Sequence, residues 1–284
     1  MAHRVNPIML LRMLARFRFE NELGTGASGV VFRSREQGTG RPVAVKLFAD
    51  ASDDGVDAAG VRARRQCPHA PAALLAYHQN ITTCLEIGVE GRLRYAVMEL
   101  VEGDDLGRRT AEPDLLPLAC VVSIVSRVAD ALDHAHAAGV VHGDVKPANI
   151  LFDPVHDRVK LADFPLHVAP AAWTPAYLSP ERLCGGPPSP ASDQFALGVT
   201  FYRLACGHVP FGGRSRAEIA HRVVNTPHAD VRSHGADIPA ELASVIDRAL
   251  AKDPQRRFRS AGALSQALSA VRARARNAAT ASAQ

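Results

Sequence analysis

The sequence predicts an α+β fold in which a small antiparallel β-sheet is followed by a larger, mainly helical part. Between residues 17 and 100, short apolar or alternating runs are separated by glycine, proline and charged clusters, as in strands. After residue 102, apolar residues recur at helical spacing. The length of 284 residues and the hydrophobic content of 47% suffice for one large domain or two packed lobes.

The strand-like runs are FRFENEL, GVVFRS, PVAVKLF, TTCLEIG and YAVMEL, and the helical periods lie at 117–138, 192–206, 215–225, 239–251 and 260–275. A short connection near residues 102–105 joins the two parts, and a cleft between them is the natural place for a ligand. The predicted organisation is an N-terminal extension, a β-rich lobe, a helical lobe and a flexible basic, alanine-rich tail, with the boundaries 1–16, 17–100, 101–270 and 271–284.

Charge gives no indication of nucleic-acid binding. The 33 basic and 29 acidic residues are spread along the chain and leave a net charge of +4, without a block of one sign. Only the tail segment VRARARN is locally basic. It is interpreted as a solvated final helix turn, with contact to an anionic surface as the alternative.

The cysteines indicate a reducing cytoplasm rather than a disulfide or zinc framework. They are odd in number and widely spaced, and they form no CxxC pair and no histidine array of zinc spacing. The five are Cys67, Cys84, Cys120, Cys184 and Cys206.

The N-terminal run IMLLRMLARF predicts neither export nor a transmembrane segment. Arg12 and Arg16 interrupt it, it is too short to span a bilayer, and no small-residue cleavage site follows. The alternative is a short amphipathic helix that lies on a partner or on a lipid surface.

A glycine-rich loop lies in the β-rich part. Gly24, Gly26 and Gly29 have G-x-G-x-x-G spacing, and the chain continues from Val31 as a strand rather than opening a helix. Glycine lets backbone amides approach phosphate oxygens, although an ordinary hairpin turn also favours glycine. Seventeen residues after Gly29, Lys46 of VAVK would place a cation under this loop, with an exposed strand lysine as the alternative.

The stretch VVHGDVKPANILF carries the most specific pattern. Asp144, Lys146 and Asn149 have D-x-K-x-x-N spacing after a predicted helix, and Pro147 restricts the shape of the loop. Asp163 follows Asn149 by fourteen positions and adds a second carboxylate. A proton acceptor, a cation and oxygen ligands for Mg²⁺ are what phosphoryl transfer requires. The alternative is a polar loop that satisfies its own backbone.

These segments together resemble the protein kinase superfamily, and most closely the bacterial eukaryotic-like (Hanks-type) Ser/Thr kinases. The resemblance covers about residues 17 to 270 and follows the family's order: GTGASGVV, VAVK, HGDVKPAN, DFP, TPAYLSPE, SDQFALGV and DPQRRF. It implies a bilobal protein-kinase-like fold and ATP-dependent phosphorylation of a protein Ser or Thr. It also implies Mg²⁺ or Mn²⁺ as cofactor.

The resemblance assigns chemical roles residue by residue. Lys46 is expected to bind the α and β phosphates, Asp144 to act as catalytic base and Lys146 to neutralise the γ-phosphate. Asn149 and Asp163 are expected to hold the metal.

For the adenine, the resemblance makes Met98 the gate of the pocket and gives Glu99 and Val101 the hinge backbone hydrogen bonds. The full nucleotide-binding set that it implies is Gly24, Thr25, Gly26, Ala27, Ser28, Gly29, Val31, Ala44, Lys46, Met98, Glu99, Val101 and Leu151.

Two further roles that the resemblance implies are structural. Glu181 of SPE is expected to pair with Arg257 of RRF, and Asp193 to brace the catalytic loop.

The first departure from the family pattern concerns the glutamate that pairs with the strand lysine. No acidic residue lies between Ala58 and Leu85, Gln66 is nearest the expected place, and Pro68 and Pro71 indicate a short or broken helix. A Lys–Glu contact near 4 Å contributes about 4 kcal/mol, and an amide roughly one or two. The deficit of about 2 kcal/mol corresponds to a rate loss on the order of 30-fold.

The second and third departures concern motion and regulation. Pro165 replaces the glycine after Asp163 and Phe164, so the segment is stiffened while the carboxylate is kept. Gly143 stands where many kinases carry an arginine for a phosphorylated loop, and DFPLHVAPAAW contains no Ser, Thr or Tyr. The segment is therefore expected to be permanently set, or set by a partner.

The interpretation is a slow or partner-activated cytoplasmic Ser/Thr kinase. One alternative is a pseudokinase that serves as a scaffold or a nucleotide-binding module, because it lacks the pairing glutamate and the DFG glycine. A small-molecule phosphotransferase is disfavoured because TPAYLSPE and the late RRF arginine resemble a peptide-substrate platform.

Overall fold

The computed structural model describes residues 15–26, 29–48, 78–90, 93–164, 174–234 and 237–281. They fall into two compact units. The first holds the described residues up to Phe48 and those from Thr82 to Glu102, and the second holds His78–Ile81 and the described residues from Gly103 onward. The expected α+β class, with a small antiparallel sheet followed by a mainly helical part, is confirmed.

The first unit is an antiparallel sheet with the strand order β1-β2-β3-β5-β4. Apolar side chains that alternate along the strands form its core, in which Phe17, Val43, Val45, Tyr95 and Val97 are buried. The five strands coincide with the strand-like runs of the sequence. They are β1 (Phe17–Gly26), β2 (Gly29–Glu36), β3 (Pro42–Phe48), β4 (Cys84–Glu90) and β5 (Leu93–Glu99).

The hairpin of β1 and β2 contains the glycine-rich loop. Gly26 is paired with Gly29 across the hairpin, so the connection is very short. Gly29 has a φ of +140°, and a Cβ on it would lie 2.0 Å from the carbonyl oxygen of Leu47 on β3. Only glycine fits here, because β2 approaches β3 too closely for a side chain.

The second unit combines a small sheet, ordered β6-β7-β8, with α-helices. Its strands are β6 (Asp104–Asp105), β7 (Ile150–Asp153) and β8 (Arg158–Leu161). Its described α-helices are α1 (Leu118–Ala137), α2 (Pro180–Leu183), α3 (Pro190–Cys206), α4 (Arg216–Asn225), α5 (Ala240–Ala249) and α6 (Ala261–Ala281). Short 3₁₀ helices span Leu106–Arg109, Pro147–Asn149, Pro175–Tyr177, Val231–His234 and Pro254–Arg256.

Helix α3 is the central helix of this unit. It begins at a capping box in which Ser189 and Ser192 exchange hydrogen bonds, and it ends at Gly207, which adopts the left-handed conformation at φ 79°. Most side chains between Ser192 and Cys206 are buried. A helix that is apolar on nearly all sides is expected to be surrounded by protein.

A buried ion pair connects α2 with the segment after α5. The Arg257 side chain is 0% exposed and donates to both carboxylate oxygens of Glu181 at 2.7 and 2.8 Å. It also donates to the backbone carbonyls of Ala191, Ala251 and Lys252. Burial raises the pKa of Glu181, but the hydrogen bonds and charge of Arg257 outweigh it and hold the pKa below its usual value. The expected pairing of Glu181 with Arg257 is confirmed.

The helix boundaries follow the predicted periods closely, except at the C-terminus. There α6 continues to Ala281, through most of the segment for which the sequence predicts a flexible tail. The four predicted domain boundaries stay predictions. No described helix has the length and apolar character that crossing a bilayer requires.

We expect Arg257→Ala to lower the free energy of unfolding by about 3–5 kcal/mol, because it leaves the half-buried Glu181 carboxylate and three carbonyls without their donor. Urea denaturation followed by circular dichroism measures the loss. The control is Arg108→Ala, which removes an exposed pair with Asp104 and costs at most about 0.5 kcal/mol. Equal effects of the two substitutions would contradict a stabilising role for the buried pair.

Candidate active site

The candidate catalytic residues lie on the loop between α1 and β7. Pro147 occupies the first turn of the 3₁₀ helix Pro147–Asn149, where its fixed φ favours the helical start. Asn149 is buried, whereas the side chain of Asp144 is 43% exposed. The loop therefore presents its carboxylate to solvent from a turn with a restrained backbone.

Asp144 receives hydrogen bonds from both other residues of the D-x-K-x-x-N pattern. Lys146 Nζ lies 2.6 Å from Asp144 Oδ2. Asn149 Nδ2 donates to the same oxygen at 3.1 Å and to the backbone carbonyl of Asp144 at 2.7 Å. Within the described part of the chain both side-chain contacts fall on Oδ2, so Oδ1 keeps its capacity to accept a proton. The structure thus brings the three predicted residues together.

Asp193, in the first turn of α3, holds this loop through hydrogen bonds to its backbone amides. Its side chain is 1% exposed. Oδ2 accepts the backbone amide of His142 at 2.8 Å, and Oδ1 accepts that of Gly143 at 2.7 Å. His136 Nε2 lies 2.8 Å from Oδ2. Gly143 adopts the left-handed region at φ 77°, which directs its amide toward the carboxylate at little steric cost. The expected bracing role of Asp193 is confirmed.

His142 joins the loop to the segment that carries Asp163. His142 Nε2 lies 2.8 Å from the carbonyl of Ala162, and the ring packs edge-on against Phe164, with centroids 4.7 Å apart. The amide of Ala162 donates to the carbonyl of Asn149 at 2.8 Å. Asp163, with φ 62°, therefore lies between two residues that contact the catalytic loop.

The tautomer of His142 follows from its two partners. Since the Ala162 carbonyl can only accept, Nε2 carries the proton, and Nδ1 accepts the amide of Asp144 at 3.2 Å. His142 lies inside the quoted motif HGDVKPAN, but sequence reasoning gave it no role. Its contacts to both segments could not be read from spacing alone.

Asn149 and Asp163 offer oxygen ligands, which Mg²⁺ prefers. The Asn149 amide nitrogen is engaged by Asp144, which fixes the amide so that its oxygen points away from Asp144. The backbone hydrogen bond from the Ala162 amide to the Asn149 carbonyl keeps the two ligand-bearing segments adjacent. This donor set fits a magnesium or manganese ion.

In the first unit, Lys46 lies on β3, with Val31 and Ala96 as its partners on the neighbouring strands. The residue is only 5% exposed, so the alternative of an exposed strand lysine is wrong. Its ammonium lies 5.6 Å from the ring centroid of Phe48. Burying an ammonium is costly unless it is paired, so the buried position of Lys46 indicates a functional site rather than a surface position.

Gly24 and Gly26 differ from Gly29. Among the described residues, no atom lies within 4 Å of a Cβ built on either, and neither glycine has a positive φ. Backbone conformation and packing against the described residues therefore do not require glycine at these positions. The space beside them is consistent with the close approach of a ligand. Thr25 donates a hydrogen bond to Glu22.

The predicted hinge residues lie at the end of β5 and directly after it. Met98 is buried and pairs with Ala44 of β3. Two hydrogen bonds with Thr83 fix Glu99. The Thr83 amide donates to the Glu99 carboxylate at 2.7 Å, and the Glu99 amide donates to the Thr83 carbonyl at 3.0 Å. Val101 is half-buried.

Leu151, the remaining nucleotide-binding candidate in the described part, lies half-buried on β7 of the second unit and pairs with Asp105. Several positions on which the sequence analysis depended lie outside the described residues. They are Ala27, Ser28, Gln66, Cys67, Pro68, Pro71 and Pro165.

Comparison with known proteins relates this chain to phosphotransferases. The family model described as "Protein kinase domain" matches residues 17–269. Serine/threonine-protein kinase PknA of Mycobacterium tuberculosis is 32% identical over 285 residues, covering 95% of this chain and 64% of the relative. PknL of the same species is 33% identical over 278 residues, covering 94% and 68%. PkaA of Streptomyces coelicolor is 33% identical over 268 residues, covering 86% and 48%.

Among solved structures, the Mycobacterium tuberculosis PknI kinase domain is similar, with a TM-score of 0.69 and 29% identity over 90% of this chain and 96% of that one. The chain thus corresponds to nearly all of a kinase domain. It spans less than two thirds of the length of its PknA relatives.

We expect Asp193→Asn to release the loop, because an amide cannot accept both backbone donors. The change should cost about 1–3 kcal/mol and speed hydrogen exchange at the amides of His142 and Gly143 by about 10-fold or more. The control is Asp153→Asn. Asp153 is also buried, and it accepts two backbone amides and an imidazole in the β7–β8 turn. Unchanged exchange in Asp193→Asn, or equal acceleration in the control, would exclude local bracing.

Proposed function

The chain belongs to the protein kinase family and, within it, to the bacterial Hanks-type Ser/Thr kinases, and from this premise we propose that it transfers the γ-phosphate of ATP to a protein Ser or Thr hydroxyl. The observation that carries the proposal is the arrangement of Asp144, Lys146 and Asn149 on a loop held by buried Asp193. Phosphoryl transfer depends on positioning and charge stabilisation, and this loop is built for both.

Asp144 is the proposed base. The substrate oxygen attacks the γ-phosphorus, its proton passes to the carboxylate, and the bond to the β-γ bridging oxygen breaks to release ADP. The contacts of Lys146 and Asn149 to Oδ2 support this role, because they orient the carboxylate and leave Oδ1 to accept the proton. The ammonium of Lys146, 2.6 Å from Oδ2, is the proposed cation for the transferring group.

Asn149 and Asp163 are the proposed ligands of Mg²⁺ or Mn²⁺. When bound, such an ion neutralises charge on the phosphates. The left-handed conformation of Asp163, at φ 62°, costs energy in a non-glycine residue. The contacts of His142 to the flanking residues Ala162 and Phe164 help to hold it there, which supports a requirement for this carboxylate in one orientation.

ATP is the proposed phosphate donor, with its phosphates under the glycine-rich loop and beside Lys46. Two observations support this assignment: no described residue lies within 4 Å of a Cβ at Gly24 or Gly26, and Lys46 is buried. The adenine pocket is proposed from the positions that the resemblance assigns: Ala44, Met98, Glu99, Val101 and Leu151. Thr25, Ala27, Ser28, Gly29 and Val31 complete the proposed nucleotide-binding set.

The proposed activity is slow or partner-dependent, and it is independent of loop phosphorylation. Gly143 offers no cation for a phosphate, and its amide is instead committed to Asp193. A loop that is positioned by a buried carboxylate has no need of a phosphate to position it. The proposed setting is the cytoplasm, which supplies ATP and keeps thiols reduced. The cysteines in the described residues, Cys84, Cys120, Cys184 and Cys206, are free.

Asp144→Asn should lower phosphate transfer from labelled ATP to a generic basic protein by about 10²- to 10⁴-fold, because the proton acceptor is lost. The control is Asp114→Asn, the same change at an exposed position, which should match the wild type. Equal incorporation of labelled phosphate by the wild type and by Asp144→Asn would refute the proposed kinase activity and favour the alternative of a binding protein.

Mg·ATP should stabilise the chain by about 2.7 kcal/mol at 100 times its dissociation constant. Thermal denaturation with ATP alone and with ATP and Mg²⁺ separates the two contributions. Asp163→Asn should lose the Mg²⁺-dependent part, whereas Asp144→Asn, in which both proposed metal ligands remain, should keep it. If Mg²⁺ adds nothing in the wild type, the proposed metal site is wrong whatever the transfer assay reports.

A further inference from the structure

Three side chains with metal-binding atoms meet where α3 ends. Cys206 is the last residue of α3, Gly207 turns the chain in the left-handed conformation, and His208 follows directly. His234 ends the 3₁₀ helix Val231–His234. The sulfur of Cys206 and one nitrogen from each imidazole all lie within 4.8 Å of one another.

The hydrogen bonds of both histidines leave one ring nitrogen with a lone pair. His208 Nδ1 lies 2.9 Å from the carbonyl of Cys206, so Nδ1 donates and Nε2 carries the lone pair. Tyr202 donates its hydroxyl proton to the carbonyl of Ala229, so the same hydroxyl accepts from His234 Nε2 at 2.9 Å. The lone pair of His234 is therefore on Nδ1.

The contact of His234 with Tyr202 is typical of metal-ligating histidines, whose second nitrogen usually donates to a carbonyl or another oxygen that fixes the ring. The alternative is a simple stack of aromatic rings, because the two imidazoles lie 4.2 Å apart and are tilted by only 11°.

A metal requires both lone pairs to point at one position, so one of the parallel rings has to turn. His208 is exposed, so it is the ring that we expect to turn, and its Nδ1 gives up the carbonyl of Cys206 as it does so. Tetrahedral Zn²⁺, with bonds of about 2.0–2.3 Å, places its ligand atoms about 3.3–3.7 Å apart. The three ligand atoms lie within 4.8 Å of one another, so they have to approach by at most about 1.5 Å.

We propose that Cys206, His208 and His234 bind one Zn²⁺ ion, with water as the fourth ligand. One thiolate and two imidazoles form a borderline-soft set that suits Zn²⁺ and does not suit Mg²⁺. Without metal, the Cys206 thiol donates to the carbonyl of Tyr202 at 3.2 Å. As the Zn–S bond forms, this proton leaves to solvent.

The proposed zinc site is distinct from the catalytic metal site. Asp193, which braces the catalytic loop, is in the first turn of α3, and Cys206 is at the opposite end, about 20 Å away at 1.5 Å per residue. Zinc would connect the end of this buried helix to the segment Val231–His234. Its role is structural or regulatory rather than chemical.

The test uses the purified, reduced, metal-free chain, titrated with Co²⁺ as a spectroscopic substitute and then with Zn²⁺. We expect one equivalent of Co²⁺ to give a thiolate-to-metal charge-transfer band that one equivalent of Zn²⁺ abolishes. Cys206→Ser should remove the band. His208→Gln and His234→Gln should weaken binding by at least about 10- to 100-fold, the loss that removing a supporting partner of a metal ligand causes.

Matched controls separate this site from other thiols and imidazoles. Cys184→Ser and His221→Gln change exposed residues outside the cluster and should retain the band and the affinity. His208 is exposed, so His208→Gln tests the site even where Cys206→Ser fails to fold. The absence of a thiolate band in the wild type, a band that survives Cys206→Ser, or unchanged affinity in His208→Gln would overturn the proposal.

Discussion

The candidate active site depends on one buried carboxylate. Asp193 accepts two consecutive backbone amides, those of His142 and Gly143, with one oxygen each. A buried carboxylate is tolerated only where donors compensate its desolvation, so the loop and helix α3 stabilise each other. Because the amides are fixed, the residues that follow are also fixed. Asp144 accepts hydrogen bonds from the side chains of Lys146 and Asn149. His142 donates to the carbonyl of Ala162, which precedes Asp163.

Most of the fold could be predicted because its elements have clear periods. The short apolar run PVAVKLF corresponds to β3, and the apolar spacing between residues 117 and 138 corresponds to α1, Leu118–Ala137. The C-terminus was harder to predict, because the alanine- and arginine-rich segment suits both a helix and a solvated tail. Alanine and arginine are good helix formers, and α6 continues to Ala281.

The site could be predicted where its residues are close in sequence and not where only the fold brings them together. Asp144, Lys146 and Asn149 lie within one turn-rich loop, so their spacing was informative. His136 and Asp193 are 57 residues apart, and their 2.8 Å contact has no signature in spacing. The same limit applies to Cys206 and His234, which the sequence analysis did not connect. A C-x-H pair followed by a distant histidine does not have the spacing of a zinc motif.

The three glycines of the hairpin differ in the structural constraint that would exclude a side chain. At Gly29 the backbone of β3 leaves no room for a side chain, whereas no described residue comes within 4 Å of a Cβ at Gly24 or Gly26. A lineage selected only for a folded chain would therefore retain the first and let the other two drift to alanine or serine. Whether a lineage also keeps Gly24 and Gly26 is thus a record of whether nucleotide binding has been under selection.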